Sequence, residues 1–102
     1  MSAIAYTVAA TFPDPATRDR YIAWLEDGHI DAVVQAGASS AMIVRITDPP
    51  DPPVVEVRYI FANHDTFDRY VRVHAPDLRA AGLRLFGPET GVRFARRVGT
   101  IL

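Results

Sequence analysis

Apolar and polar residues alternate from Ala3 to Thr11, with Ile4, Tyr6 and Val8 on one face and Ala5, Thr7 and Ala9 on the other. That period of two predicts a first strand. Pro13-Asp14-Pro15 ends it. Asp14 suits a helix N-cap and Pro15 the first helical position. Ile22, Leu25, His29 and Val33 then recur at helical spacing, interrupted by Gly28, which predicts a kink just before His29. Gly37 reads as the C-cap. Ser39 to Thr47 reads as a second strand and Val54 to Ala62 as a third. Between them Asp48-Pro49-Pro50-Asp51-Pro52-Pro53 predicts a stiff surface loop, because proline lacks the backbone donor and fixes φ.

A hairpin register with Thr47 opposite Val54 places Arg45 opposite Glu56 and Ile43 opposite Arg58. The other face then carries Met42, Val44, Ile46, Val55, Val57, Tyr59 and Phe61 and is wholly apolar, as expected of a sheet covered by helices on one side. Asn63 or Asp65 is expected to cap a second helix with the stripe Phe67, Val71, His74, Leu78 and Leu85. Pro76 biases Ala75 away from helix and predicts a bend or restart beside His74. Gly91 to Ile101 reads as a fourth strand. It carries Val92, Phe94 and Val98 on one face and Arg93, Ala95 and Arg97 on the other, and Arg96 breaks the apolar set near its rim.

The order βαββαβ contains two strand–helix–strand halves. With right-handed crossovers these make a ferredoxin-like α+β fold, a four-stranded antiparallel sheet with helices on one face. An internal echo supports the duplication. Asp19-Arg20-Tyr21-Ile22 leads to His29 and Gly37, and Asp68-Arg69-Tyr70-Val71 leads to His74 and Gly82. The Tyr-to-His gaps differ by four residues, about one helical turn, so both histidines stay on a similar helix face. Residues 1–102 are read as one domain of this type.

Nearly half of the 102 residues are hydrophobic, so the chain can build a core without staples, and it has no cysteine. Thiolate metal sites, disulfides and a cysteine nucleophile are excluded. Cytoplasmic localisation is the expectation, since Met1 to Thr11 has no basic region of a signal peptide and no apolar run spans a bilayer. A net charge of −1 argues against nucleic acid or an anionic membrane as a partner. All eleven basic residues are arginine, and the charge is uneven: residues 1–51 carry three Arg against seven acids, residues 52–102 eight Arg against five.

Trp24-Leu25, His29-Ile30, Ala36-Gly37, Arg69-Tyr70, His74-Ala75-Pro76-Asp77-Leu78-Arg79 and Phe86-Gly87 form an ordered set along nearly the whole chain. The set resembles a bacterial family described as domain of unknown function 4286, departing from it at Asp31, where proline is expected. The resemblance implies a dimeric α+β barrel. That superfamily includes cofactor-free monooxygenases, muconolactone-isomerase-like enzymes, haem-degrading enzymes and stress-responsive barrels. For the family itself it implies no activity.

His29 and His74 are the candidate catalytic residues. Each lies on an apolar stripe beside a helix break, either as a half-buried side chain satisfying carbonyls freed there or as a proton donor or acceptor in a pocket. Two histidines without a carboxylate set make no zinc site, so no metal and no cofactor is predicted. The expected ligand-binding residues are Trp24, His29, Arg58, Tyr59, His74 and Arg93. Arg58 and Arg93, with Arg45, Arg97, Glu56 and Thr7, are assigned to the uncovered sheet face. Small residues there leave room for an anionic ligand, or for salt bridges to a second subunit. That face also carries Ile43, Val54 and Ile60, which predicts a homodimer with sheets facing. Two functions follow as expectations. The first is a homodimeric small-molecule-binding or assembly module. The second is a cofactor-independent monooxygenase or isomerase acting on an aromatic or polyketide-like substrate.

Overall fold

The computed structural model describes residues 2–102; Met1, part of the N-terminal segment read above, lies outside the described residues. Strand β1 (Ile4–Thr11) is followed by α1 (Pro15–Trp24), a wide turn (Leu25–His29), α2 (Ile30–Gln35) and β2 (Ser40–Arg45). The second half repeats the plan with β3 (Val54–Phe61), α3 (His64–Arg69), a wide turn (Tyr70–His74), α4 (Ala75–Leu85) and β4 (Arg93–Thr100). The strands form one antiparallel sheet in the order β2-β3-β1-β4. This is the ferredoxin-like α+β arrangement expected from the pattern.

The caps follow from local chemistry. Asp14 accepts from the Thr17 N–H at 2.7 Å and Asn63 from the Thr66 N–H at 2.8 Å, each satisfying a donor that the first helical turn leaves free. Of the two candidates for the second cap, Asn63 is the one used. Gly37 ends α2 at φ 134°, a conformation that disfavours a side chain.

Both helical arms widen at the same place. The Ile30 N–H bonds Leu25 O and the Ala75 N–H bonds Tyr70 O, so each arm contains one five-residue turn ending in a histidine. In the first arm Gly28 adopts φ 117°, the break its sequence position predicts. In the second arm Ala75 stays helical despite Pro76, because the wider turn accommodates a residue whose ring would otherwise press on the preceding turn. The buried positions differ from the expected stripe in part. Tyr70 and Ala75 are buried, whereas Leu85, expected on the stripe, is 56% exposed.

Val55, Val57, Tyr59 and Phe61 of β3 face the helices, as expected, together with Ile4, Tyr6 and Ala10 of β1. Strand β2 is the correction. Arg45 pairs with Val55 and Ile43 with Val57, one residue away from the expected register. A slip of one exchanges the faces. Ala41 and Ile43 therefore pack on the core, while Met42 and Val44 lie on the uncovered face opposite Arg58 and Glu56. The expected Arg45–Glu56 pair is absent, and Glu56 instead bonds Arg58 of its own strand at 2.8 Å. The side chains of Glu56 and Arg58 do share the face expected of them.

Candidate functional site

The two wide turns, α4 and the sheet enclose a cavity of about 50 Å³ beside β4. Its floor comes from inward positions of the sheet: Tyr6 and Val8 of β1, Tyr59 of β3, and Phe94 and Arg96 of β4. Tyr21, Trp24 and His29 close one side; Tyr70, Leu78, Arg79, Gly82 and Leu83 close the other. All four tyrosines of the chain and its single tryptophan thus meet at one cavity.

The wide turn Leu25–His29 sets the relation between Trp24 and His29. An inserted residue lets positions five apart lie over one another as positions four apart do in an ordinary helix. The two rings stack with centroids 4.0 Å apart and planes 24° from parallel. Across the cavity, Gly82 lies under the same indole: a Cβ there would sit 3.3 Å from the Trp24 ring. The wall is therefore built by a glycine that lets the indole come down on α4.

Burial governs the protonation states. It holds His29 below the usual histidine range, which keeps the imidazole neutral near pH 7. It pushes the Tyr21 and Tyr70 hydroxyls up to about 12, against the opposing pull of Arg96, and raises Tyr59 further. All three phenols are therefore protonated donors at neutral pH. Arg79 donates to the Tyr6 hydroxyl at 3.3 Å, and the Arg96 guanidinium lies 5.8 Å from the centre of the Phe94 ring. The cavity lining contains no aspartate or glutamate. Among the described residues no cluster of three or more His, Asp or Glu is placed to hold a metal ion.

Of the residues singled out in the sequence, Trp24, His29 and Tyr59 are brought together here. His74 is half-buried at the end of the second wide turn and does not line the cavity. Arg58 is on the uncovered sheet face, held by Glu56, and Arg93 is on the same face of the edge strand. The cavity residues that sequence reasoning missed are chiefly Tyr6, Tyr21, Tyr70, Arg79 and Arg96. The Asp-Arg-Tyr echo marked Tyr21 and Tyr70, and Arg96 was marked as the lone charge on the inward side of β4; both signals point here.

The family model described as "Domain of unknown function (DUF4286)" matches residues 3–98. Among curated proteins none matches the chain. Among solved structures, a dimeric ferredoxin-like protein from an uncultured marine organism is similar over 100% of this chain and 97% of that one, at TM-score 0.78 and 13% identity. A dimeric ferredoxin-like protein of unknown function from Thermobifida fusca covers 98% of this chain and 92% of its own, at TM-score 0.66 and 16% identity. SnoaB, a cofactor-independent oxygenase from Streptomyces nogalater, is similar over 100% of this chain and 95% of its own, at TM-score 0.64 and 14% identity. At these identities the likeness speaks to the fold. No helix among the described residues is long and apolar enough to cross a membrane.

Proposed function

Because the chain belongs to the family described as domain of unknown function DUF4286, which names no reaction, we propose its function from the cavity: a homodimeric protein that binds a small molecule between helices and sheet. The observation that carries this reading is the recess where Trp24, His29 and four tyrosines converge with Val8, Leu78 and Phe94, joining aromatic and apolar surface to hydroxyl, imidazole and guanidinium groups as ligand sites do. At about 50 Å³ the recess admits water or the head of a ligand; a whole benzene ring needs roughly 150 Å³. A bound ring therefore sits partly in the mouth or displaces Leu83, which is 50% exposed.

The partner in this reading is a second copy. The uncovered sheet face presents Ala5, Ala9, Met42, Val44, Val54 and Ile60 together, and Met42 is 58% exposed. An apolar surface of that kind on a chain this small is normally covered. Two similarly folded proteins are described as dimeric.

A fragment screen by amide NMR tests the site. Binders are expected to shift the amides of Tyr6, Trp24, His29 and Gly82. A panel of aromatic fragments that leaves all four unmoved at millimolar concentration removes the reading.

His29 favours a second reading, a cofactor-independent oxygenase or isomerase, in which the neutral imidazole accepts a proton from a bound acidic substrate. SnoaB, of similar fold, is such an oxygenase by its description. His29→Gln is then expected to retain ligand binding and lose turnover. Equal loss of both assigns His29 to binding alone.

A further inference from the structure

We propose that the ligand is a small organic anion, a single- or fused-ring aromatic carboxylate or enolate, whose charged oxygens meet Arg79 and Tyr6 while its ring lies against Trp24. This rests on the reading of the cavity as a ligand site and adds the chemical class.

Arg79 and Arg96 can only donate, and the buried phenols keep their protons, so the polar groups are dominated by donors. No carboxylate lines the recess to answer them. Among the described residues the ion pairs are Arg18 with Asp19, Arg58 with Glu56, and His64 with Asp68; neither Arg79 nor Arg96 joins one. The exposed Arg79 instead donates to the hydroxyl of Tyr6, a residue only 3% exposed, and so holds one arm of its fork at the recess. The two guanidinium charges disfavour a cation there. A neutral ring offers the guanidinium no charged partner, whereas a carboxylate accepts from the fork and from a phenol together.

The body of the ligand is set by the apolar part. The indole of Trp24 is stiffened by His29 stacked on it and by Gly82 below, and Val8, Leu78 and Phe94 complete the walls. Flat surfaces of this type favour a planar ring.

Trp24 is the only tryptophan, so its emission reports events at the cavity wall. Benzoate and 2-naphthoate are titrated, each against its neutral amide, into the parent protein and into Arg79→Gln. The acids are expected to perturb Trp24 saturably and to bind about tenfold or more tightly than the amides. Arg79→Gln should bring each acid down to its amide while leaving the amides within about twofold, since charge-assisted bonds alone are lost. Acids and amides of equal affinity, unchanged by Arg79→Gln, overturn the anion assignment and leave the cavity as a site for neutral ligands. No perturbation by any of the four removes the cavity reading as well. Arg93→Gln checks that acids are not collected by the uncovered sheet face: its affinities should equal the parent's, and a loss as large as that of Arg79→Gln overturns the assignment. Should circular dichroism find Arg79→Gln unfolded, Tyr6→Phe and Arg96→Gln take its place with the same expected order.

Discussion

His29 stacks on the Trp24 indole and Gly82 meets its outer edge, and each gives a test that separates shape from stability. Alanine at position 82 suits the interior of α4 better than glycine by about 0.5–1 kcal/mol. Its methyl would press on the Trp24 ring at 3.3 Å, and that half-buried ring has the cavity into which to retreat. Gly82→Ala is therefore expected to match or exceed the parent in urea midpoint, while Trp24 emission shifts and ligand affinity falls. An unaltered emission spectrum contradicts the packing described. His29 gives the pH dependence. Its folded pKa lies below the ordinary value of 6.5, so the unfolded chain takes up the proton first as pH falls. The contribution is fully present above about pH 6.5 and is lost on acidification through the folded pKa. Parent protein compared at pH 7.5 and 5.5 should lose more stability than His29→Gln does. Of the two histidines marked in the sequence, His29 lines the cavity and His74 does not. Both end a wide turn, but only the first has a tryptophan five residues before it to hold it at the cavity.

The element scale shows where a pattern suffices and where it does not. In β3 every second residue is apolar and the intervening Glu56 and Arg58 fix the faces, so the inward set was legible. In β2 Ala41, Met42, Ile43 and Val44 are apolar at both parities, and nothing in the strand itself distinguishes one register from its neighbour. The observed register carries on to the loop, where the Ile46 N–H bonds Val54 O, one residue from the symmetric hairpin. Ile43→Ala should therefore cost about 1–3 kcal/mol in the urea midpoint of the single subunit. Met42→Ala should cost less than about 1 kcal/mol there, since its side chain lies outside the core. The reverse order would restore the register expected from the sequence. The helices obey the same logic. Beyond the wide turns Val33 and Leu78 of the expected stripes still pack on the core, whereas Ala75 is buried off the stripe and Leu85 on it is exposed. The expected stripe recovers Leu78 of the cavity lining but not Arg79, Gly82 or Leu83.

For the whole molecule, the uncovered face combines apolar contact with unbalanced charge. Its outward positions hold Arg58, Arg93 and Arg97 against Glu56 alone, a net of +2 for each copy. Glu56 is already engaged by Arg58 within its own strand, so it offers little to an arginine of the partner. In a two-fold assembly the same patch faces itself, and the apolar strip must overcome like charge brought together. Salt should then favour assembly. Screening shortens from about 10 Å at 0.1 M to about 3 Å at 1 M, which weakens the repulsion while apolar burial is retained. Sedimentation equilibrium at micromolar concentration is expected to find the dimer fraction rising between those two conditions. Arg97→Glu sets two arginines against two glutamates and cancels the face charge; it should strengthen the dimer at low salt and flatten the salt dependence. A dimer that dissociates as salt rises would instead be held by cross-subunit ion pairs, and the arginines of β4 would then be its contacts rather than its cost.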